Sequence, residues 1–467
     1  MYFRLKEPYS FRGWQKLPFA VRAEYGPKKF SDPFFMKKNE FLDVLYCNGV
    51  EEVDEKKLSE ASAQIFRKFE VRGVIERSEK PMEPLKPWQR YRIYPSRWLE
   101  SVHWSITGKC NFQCRHCLVS APDSHQPQLS LDSCMRVIDE IASCGIKAVD
   151  ITGGEPLVRP DYEEIFRALK ERGIFIRVLF TNASRLDQRV LDTLKKYGHD
   201  PAFQISFDGL GRHDWLRGVE GAEKQADAAL RLLQQNGIRT VASMMLHKKN
   251  RDTLKATAKY LAGLGVDSLR VNAPQELGIW KQYSKEYALT EDEVWEAYKD
   301  YIEWYFSERP DIGTELDEYF SCKKGETEYT IPAAAKQKKD DDLTKVRYCE
   351  DVNRSIYIRP DGRVAPCMGF SDTVLGDRFP SVLEEKLADI VQDSYYREVA
   401  DTKLSDLLEE NPACRDCGLI TSCAGGCMLE DITEDGNYLV PDQRNCYIFR
   451  HIGIENVKKA IDEAKYD

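Results

Sequence analysis

Between Ser101 and Asn272 the chain repeats one pattern. Short runs rich in β-branched and aromatic residues (VHWSIT, AVDIT, FIRVLF, FQISF, RTVASMML, SLRVN) alternate with helical stretches such as LDSCMRVIDEIASCG and DYEEIFRALKERG. Several helical stretches close on Gly, a common helix-terminating residue. Strands alternating with helices imply parallel pairing through right-handed crossovers. Six such steps are too few for an eight-fold barrel. The expected fold class is therefore α/β, a partial (β/α)6 TIM-like barrel or open sheet. A hydrophobic content of 42% with 31% charged residues supports a buried core and excludes a disordered or collagen-like chain.

The segments that follow these strands are the chemically richest in the chain. CNFQCRHC follows the first strand, TGGEP the second, TNAS the third, SFDG the fourth and VNAP the sixth. All fall at the carboxyl edge, where βα folds place their ligands. They should converge on one mouth.

Outside the repeat the chain reads differently. FFMKKNEFLDVLYCNGVEEVD and EKKLSEASAQIFRKFEVRGVIERS point to two or three short helices followed by a β-ribbon, and the Pro-rich EKPMEPLKPWQRYRIYP is a connector. DEVWEAYKDYIEWYF reads as a packing helix, and KQKKDDDLTK, with charges of both signs, as a solvated loop. The net charge of −9 argues against nucleic acid as a partner. No apolar run approaches the ~18 residues that span a bilayer, so no membrane partner is expected. MYFRLKEPYSFRGW lacks the apolar core of a secretion signal. A cytoplasmic location follows as the expectation, and clustered cysteines there mean metal or catalysis before disulfides.

Of the 14 cysteines, three lie in CNFQCRHC, and a second group runs from Cys349 to Cys446. Cys110, Cys114 and Cys117 can wrap one metal centre from a single loop, one ligand short of a closed four-cysteine iron–sulfur site. An open position marks a reactive centre. On spacing alone, zinc completed by His103, His116 or His125 remains an alternative. So does a zinc ribbon built from Cys414, Cys417, Cys423 and Cys427.

CxxxCxxC after the first strand with GGEP after the second resembles the radical S-adenosylmethionine (SAM) superfamily. The resemblance implies that Cys110, Cys114 and Cys117 hold a 4Fe–4S cluster whose open iron chelates SAM. One electron then cleaves SAM to methionine and a 5′-deoxyadenosyl radical, which abstracts hydrogen from the substrate. It implies His116 near the adenine, Gly153, Gly154 and Glu155 at the methionine amino group, Ser206 and Asp208 at the ribose or methionine part, and Arg217 near the SAM carboxylate. An external electron donor such as flavodoxin or ferredoxin is implied with it.

The second cysteine group, a lone Cys, GxxxxC, CxxCxxxxxCxxxC and a final Cys, is similar to the seven-cysteine SPASM extension. That likeness implies two auxiliary 4Fe–4S clusters, for three in all. Cys414, Cys417, Cys423 and Cys446 would ligate the outer cluster, and Cys349, Cys367 and Cys427 the inner one. Cys47, Cys134, Cys144 and Cys322 are left over. The first three read as buried packing residues. Cys322, in the polar YFSCKKGE, is the spare thiol for the inner cluster or for hydrogen-atom donation, with an incidental exposed cysteine as the alternative. Without it the inner cluster has an open iron, which can bind a substrate thiolate.

Met368 follows the GxxxxC cysteine where sulfatase-maturing relatives carry an Asp base, which disfavours that activity. The N-terminal stretch resembles the winged-helix leader-binding domain of ribosomal-peptide maturases. The implied organisation is a leader-recognition domain over 1–95, the radical SAM partial barrel over 96–310, a bridging segment over 311–347 and a loop-rich SPASM domain over 348–467. The implied partner is a ribosomal precursor peptide, bound by its leader. The expected reaction is an intramolecular cross-link in that peptide, a thioether before a carbon–carbon bond. Peptide epimerisation with Cys322 returning hydrogen, a multi-cluster electron carrier and a zinc-based peptide adaptor are the alternatives.

Overall fold

A computed structural model describes residues 1–22, 33–121, 127–335 and 342–466. His125 and most of KQKKDDDLTK lie outside the described residues.

The N-terminal unit begins with strands that the helical reading had not included. β1 (Tyr2–Leu5), β2 (Tyr9–Trp14), β3 (Leu17–Arg22) and β4 (Phe34–Phe35) precede helix α1 (Lys38–Val44), β5 (Asn48–Glu52), helix α2 (Glu60–Val71) and β6 (Ile75–Ser78). β5 and β6 flank β1 in one three-stranded sheet, and β2, β3 and β4 form another. The expected ribbon is thus split around the N-terminal strand. Phe3, Phe11, Phe41, Phe66 and Phe69 fill its own core, and Cys47 is buried there in the turn after α1. Its link to the barrel includes Arg12. Only 1% exposed, Arg12 donates to the carbonyls of Cys144, Ser96 and Arg97. Arg12→Met would remove all three bonds and leave the Ser96 and Arg97 carbonyls unpaired, the Cys144 carbonyl keeping the Ser96 hydroxyl, so we expect a loss of about 3 kcal/mol of stability, measurable by chemical denaturation.

All six strands of the repeat form: β7 (Ser101–Ser105), β8 (Ala148–Thr152), β9 (Phe175–Thr181), β10 (Ala202–Ser206), β11 (Thr240–Met245) and β12 (Ser268–Asn272). They pair in parallel in chain order. The crossovers include α3 (Leu131–Ser143), α4 (Tyr162–Glu171), α5 (Gln188–Lys196), α6 (His213–Arg217), α7 (Ala222–Gln235) and α8 (Leu254–Leu264). Ser130 caps α3 by accepting from the Ser133 N–H at 3.1 Å, and its inner face buries Val137, Ile138 and Ile141. Cys134 and Cys144 pack in the same core.

The sheet is larger than the repeat. Beyond α9 (Ser284–Tyr287) and the aromatic α10 (Glu291–Glu308), β13 (Gly313–Leu316) adds in parallel to β12, and β14 (Phe320–Cys322) and β15 (Tyr329–Thr330) follow antiparallel. At the other edge β16 (Ser355–Ile358) pairs in parallel with β7 and carries β17 (Val364–Ala365), giving 11 strands. Tyr298, Tyr301 and Tyr305 of α10 are buried in the core, as its packing role requires. Among the described residues no helix is long and apolar enough to cross a membrane.

Candidate active site

The loops at the carboxyl edge open onto one cavity of about 890 Å³, within the usual range for small-molecule sites. Cys110, Cys114, His116, Cys117, Gly153, Gly154, Ser206 and Arg217 line it, together with Cys349, Cys423 and Cys427 from the later cysteine group.

Each thiol of CNFQCRHC faces N–H donors. Cys110 Sγ accepts from the Phe112 backbone N–H at 3.4 Å and the Asn182 amide at 3.9 Å. Arg217 Nη1 donates to Cys114 Sγ at 3.8 Å, and the Ala121 N–H to Cys117 Sγ at 3.2 Å. Burial pushes the Cys110 thiol up to about 12, so deprotonation here calls for a cation or cluster as well as donors. Donors aimed at sulfur suit thiolates bound to iron, and the residues present fit such a group.

TGGEP serves this loop directly. The Gly154 N–H bonds the Thr107 carbonyl and the Glu155 N–H the Lys109 carbonyl, both at 2.9 Å. A Cβ on Gly154 would lie 2.3 Å from the Lys109 carbonyl oxygen and 2.9 Å from Cys110 Cβ. Gly154→Ala therefore forces the cysteine loop outward. Overpacking of this kind costs about 1–3 kcal/mol, and the expected result is a lower denaturation midpoint with less iron retained on reconstitution. Glu155 is fully buried and outside the cavity lining. Its carboxylate accepts from the Leu157 and Asn182 N–H groups and the Thr181 hydroxyl, and burial raises its pKa to about 7. The side chain ties the loop after β8 to the loop after β9.

His116 lines the cavity with Nδ1 buried and without a hydrogen-bond partner, and burial lowers its pKa to about 3. A neutral ring facing a cavity suits stacking or hydrogen bonding to a base. Ser206 lines the same space, whereas Asp208 sits behind it, fully buried. Asp208 Oδ1 accepts from the Met245 N–H at 3.0 Å and Oδ2 from Arg217 Nε at 2.6 Å. Both carboxylate oxygens of Asp208 are thus engaged within the protein.

The second cysteine group separates in two. Cys349, Cys367 and Cys427 are electrostatic neighbours, as are Cys414, Cys417, Cys423 and Cys446. Backbone N–H groups two residues on face several of these sulfurs, Gly369 to Cys367 and Gly425 to Cys423, each at 3.5 Å. Burial pushes Cys427 up to about 12. Cys322 departs from expectation. It ends β14 rather than lying in a loop, is 3% exposed, and points its thiol to the Glu326 carbonyl at 3.3 Å. It is absent from the cavity lining; β-pairing with Thr314 turns it into the core. Among the described residues no group of three or more His, Cys, Asp or Glu is set to hold a single metal ion.

Several lining residues had no sequence signal. Asn182 bonds Asn111 and faces Cys110. Gln275 donates to Glu430 Oε2 at 2.6 Å, joining the loop after β12 to the cysteine-rich segment. Burial raises Glu430 to about 7. TNAS and VNAP marked the loops, not these contacts.

The family model of the radical SAM superfamily matches residues 104–261, and that of SPASM, an iron–sulfur cluster-binding domain, matches residues 349–418. The AdoMet-dependent heme synthase of Methanosarcina barkeri is 25% identical over 353 residues, 72% of this chain and 93% of that protein. The PqqA peptide cyclase of Granulibacter bethesdensis is 25% identical over 347 residues, 72% and 84% of the two chains. The crystal structure of Streptococcus suis SuiB bound to precursor peptide SuiA matches at a TM-score of 0.65 and 15% identity, over 95% of this chain and 99% of that one. At that identity the likeness speaks for the fold.

Proposed function

Because the chain belongs to the radical SAM superfamily and carries a SPASM segment, we propose that it oxidises a ribosomally made precursor peptide and closes an intramolecular cross-link within it. A thioether is the preferred form. The observation that carries this reading is the single cavity lined both by Cys110, Cys114 and Cys117 and by Cys349 and Cys427.

Radical SAM proteins bind SAM and a 4Fe–4S cluster, and SPASM segments bind auxiliary clusters. Here Cys110, Cys114 and Cys117 would hold the first. Cys349, Cys367 and Cys427 would hold an inner auxiliary cluster, and Cys414, Cys417, Cys423 and Cys446 an outer one, three in all. When bound, these groups supply one-electron reduction of SAM, hydrogen abstraction from the substrate and removal of the second electron. The protein's own part is positioning. TGGEP braces the cysteine loop, and His116 and Ser206 line the cavity where SAM would sit.

In this reading residues 1–95 take the peptide leader. β5 and β6 are the outer strands of the first small sheet, and an extended leader can add to such an edge. That tether raises the effective concentration of the core peptide at the barrel mouth. A cytoplasmic flavodoxin or ferredoxin would supply the reducing electron. Cys322, buried away from the cavity, has no part in the scheme, which weighs against an epimerase that uses it.

The test incubates the reduced, iron-reconstituted enzyme with SAM and precursor peptides encoded beside its gene, followed by tandem mass spectrometry. A cross-link appears as the loss of two hydrogens with fragment ions missing between the joined residues. Conserved mass with deuterium taken up from solvent would instead mark an epimerase.

A further inference from the structure

The three sulfurs of CNFQCRHC are not equivalent. Cys110 and Cys117 face neutral donors, the Phe112 N–H, the Asn182 amide and the Ala121 N–H. Cys114 faces a guanidinium, Arg217 Nη1 at 3.8 Å. Arg217 is only 7% exposed, and its Nε is fixed by Asp208 Oδ2 at 2.6 Å. Asp208 is itself held by the Met245 N–H at 3.0 Å, and His213 Nδ1 lies 3.0 Å from Oδ2 and 2.9 Å from the Asp208 backbone nitrogen.

The helix that carries Arg217 is sewn to the cysteine loop as well. The Gln113 N–H bonds the Arg217 carbonyl at 3.2 Å and the Arg115 N–H the Leu216 carbonyl at 2.8 Å. Gly218, at φ +68°, lets the chain turn where a Cβ would meet the Gln113 carbonyl oxygen at 2.3 Å. The guanidinium is therefore held near one sulfur from three sides: its own helix, the cysteine loop and a buried carboxylate. Against burial, which lowers it, Asp208 and then Cys114 raise the Arg217 pKa, so the charge is permanent.

We propose that Arg217 is a fixed positive charge set against the Cys114 thiolate, raising the reduction potential of the cluster that Cys110, Cys114 and Cys117 would share. The inference rests on the cluster reading above. Cluster potentials respond to net charge and to hydrogen bonds on the sulfurs, and a charge in a low-dielectric surround acts more strongly than one in water. A cation beside a ligand sulfur favours the reduced, more negative cluster. Asp208 is the opposing charge, and it limits that rise while holding Arg217 in place. This role is separable from binding a SAM carboxylate, because it acts before SAM is present.

The experiment is an anaerobic redox titration of the reconstituted full chain, followed by electron paramagnetic resonance without SAM. The signal that SAM addition perturbs identifies the relevant cluster among the others. Wild type, Arg217→Gln, Arg217→Lys and Asp208→Asn are compared at matched iron and sulfide content. The expected result is a shift to more negative potential in Arg217→Gln, a value near wild type in Arg217→Lys, and a shift to less negative potential in Asp208→Asn, whose amide oxygen can still accept from Nε. If Arg217→Gln fails to load, the sign of the Asp208→Asn shift decides. An unchanged SAM-free potential in Arg217→Gln, with only SAM affinity lost, overturns the proposal. So do shifts of the same sign in Arg217→Gln and Asp208→Asn. A wild type without any SAM-perturbed signal removes the cluster reading itself, and the inference falls with it.

Discussion

Replacing Cys110, Cys114 or Cys117 with Ala should take reductive cleavage of SAM to background, a loss on the order of 10³-fold or more, as expected when one member of a catalytic unit is removed. The three thiols share one loop, face their own N–H donors and open on one cavity, so no neighbouring cysteine stands ready to substitute. Cys134 and Cys144, the next nearest in sequence, are buried in the barrel core. The measurement is 5′-deoxyadenosine formed per enzyme with dithionite and no peptide. Iron content should fall by one cluster's share while circular dichroism stays native, because the loop's backbone bonds to Leu216, Arg217 and TGGEP remain.

Ala at Cys349, Cys367 or Cys427 should give the opposite split. SAM cleavage without peptide persists within about a few-fold of wild type, while modified peptide falls by on the order of 10²-fold or more. These thiols are electrostatic neighbours of one another, and Cys349 and Cys427 line the same cavity as CNFQCRHC. They would serve the substrate half of the reaction, holding the acceptor or taking the second electron. Parallel assays of 5′-deoxyadenosine and of peptide product on the same preparation read the split. Loss of both activities together would mean that these cysteines act only by supporting the fold.

Much of this arrangement was legible in the sequence because it is local. The six strands of the repeat are short runs rich in β-branched and aromatic residues such as AVDIT, all five of whose residues are buried, and five of the six are followed at once by a polar or cysteine-bearing segment. For the later cysteines, spacing alone left a zinc ribbon of Cys414, Cys417, Cys423 and Cys427 open, and only the SPASM resemblance grouped Cys427 with Cys349 and Cys367. What escaped depends on long-range pairing. SIYI of β16 joins β7 some 250 residues away, and β1 is enclosed by β5 and β6 from later in the chain; nothing local marks such partners. Cys322 was misread because KKGE, just after it, is polar, whereas FSC is held by pairing with β13. The buried ion pair of Asp208 with Arg217 joins residues that no sequence pattern marks as partners.

The central claim is that this chain removes a hydrogen atom from a peptide by radical SAM chemistry. It is tested most directly by supplying a precursor peptide deuterated throughout its core and weighing the 5′-deoxyadenosine formed. The account predicts 5′-deoxyadenosine carrying one deuterium, in step with the modified peptide. Unlabelled 5′-deoxyadenosine, formed at the same rate with or without every peptide tried, would contradict it.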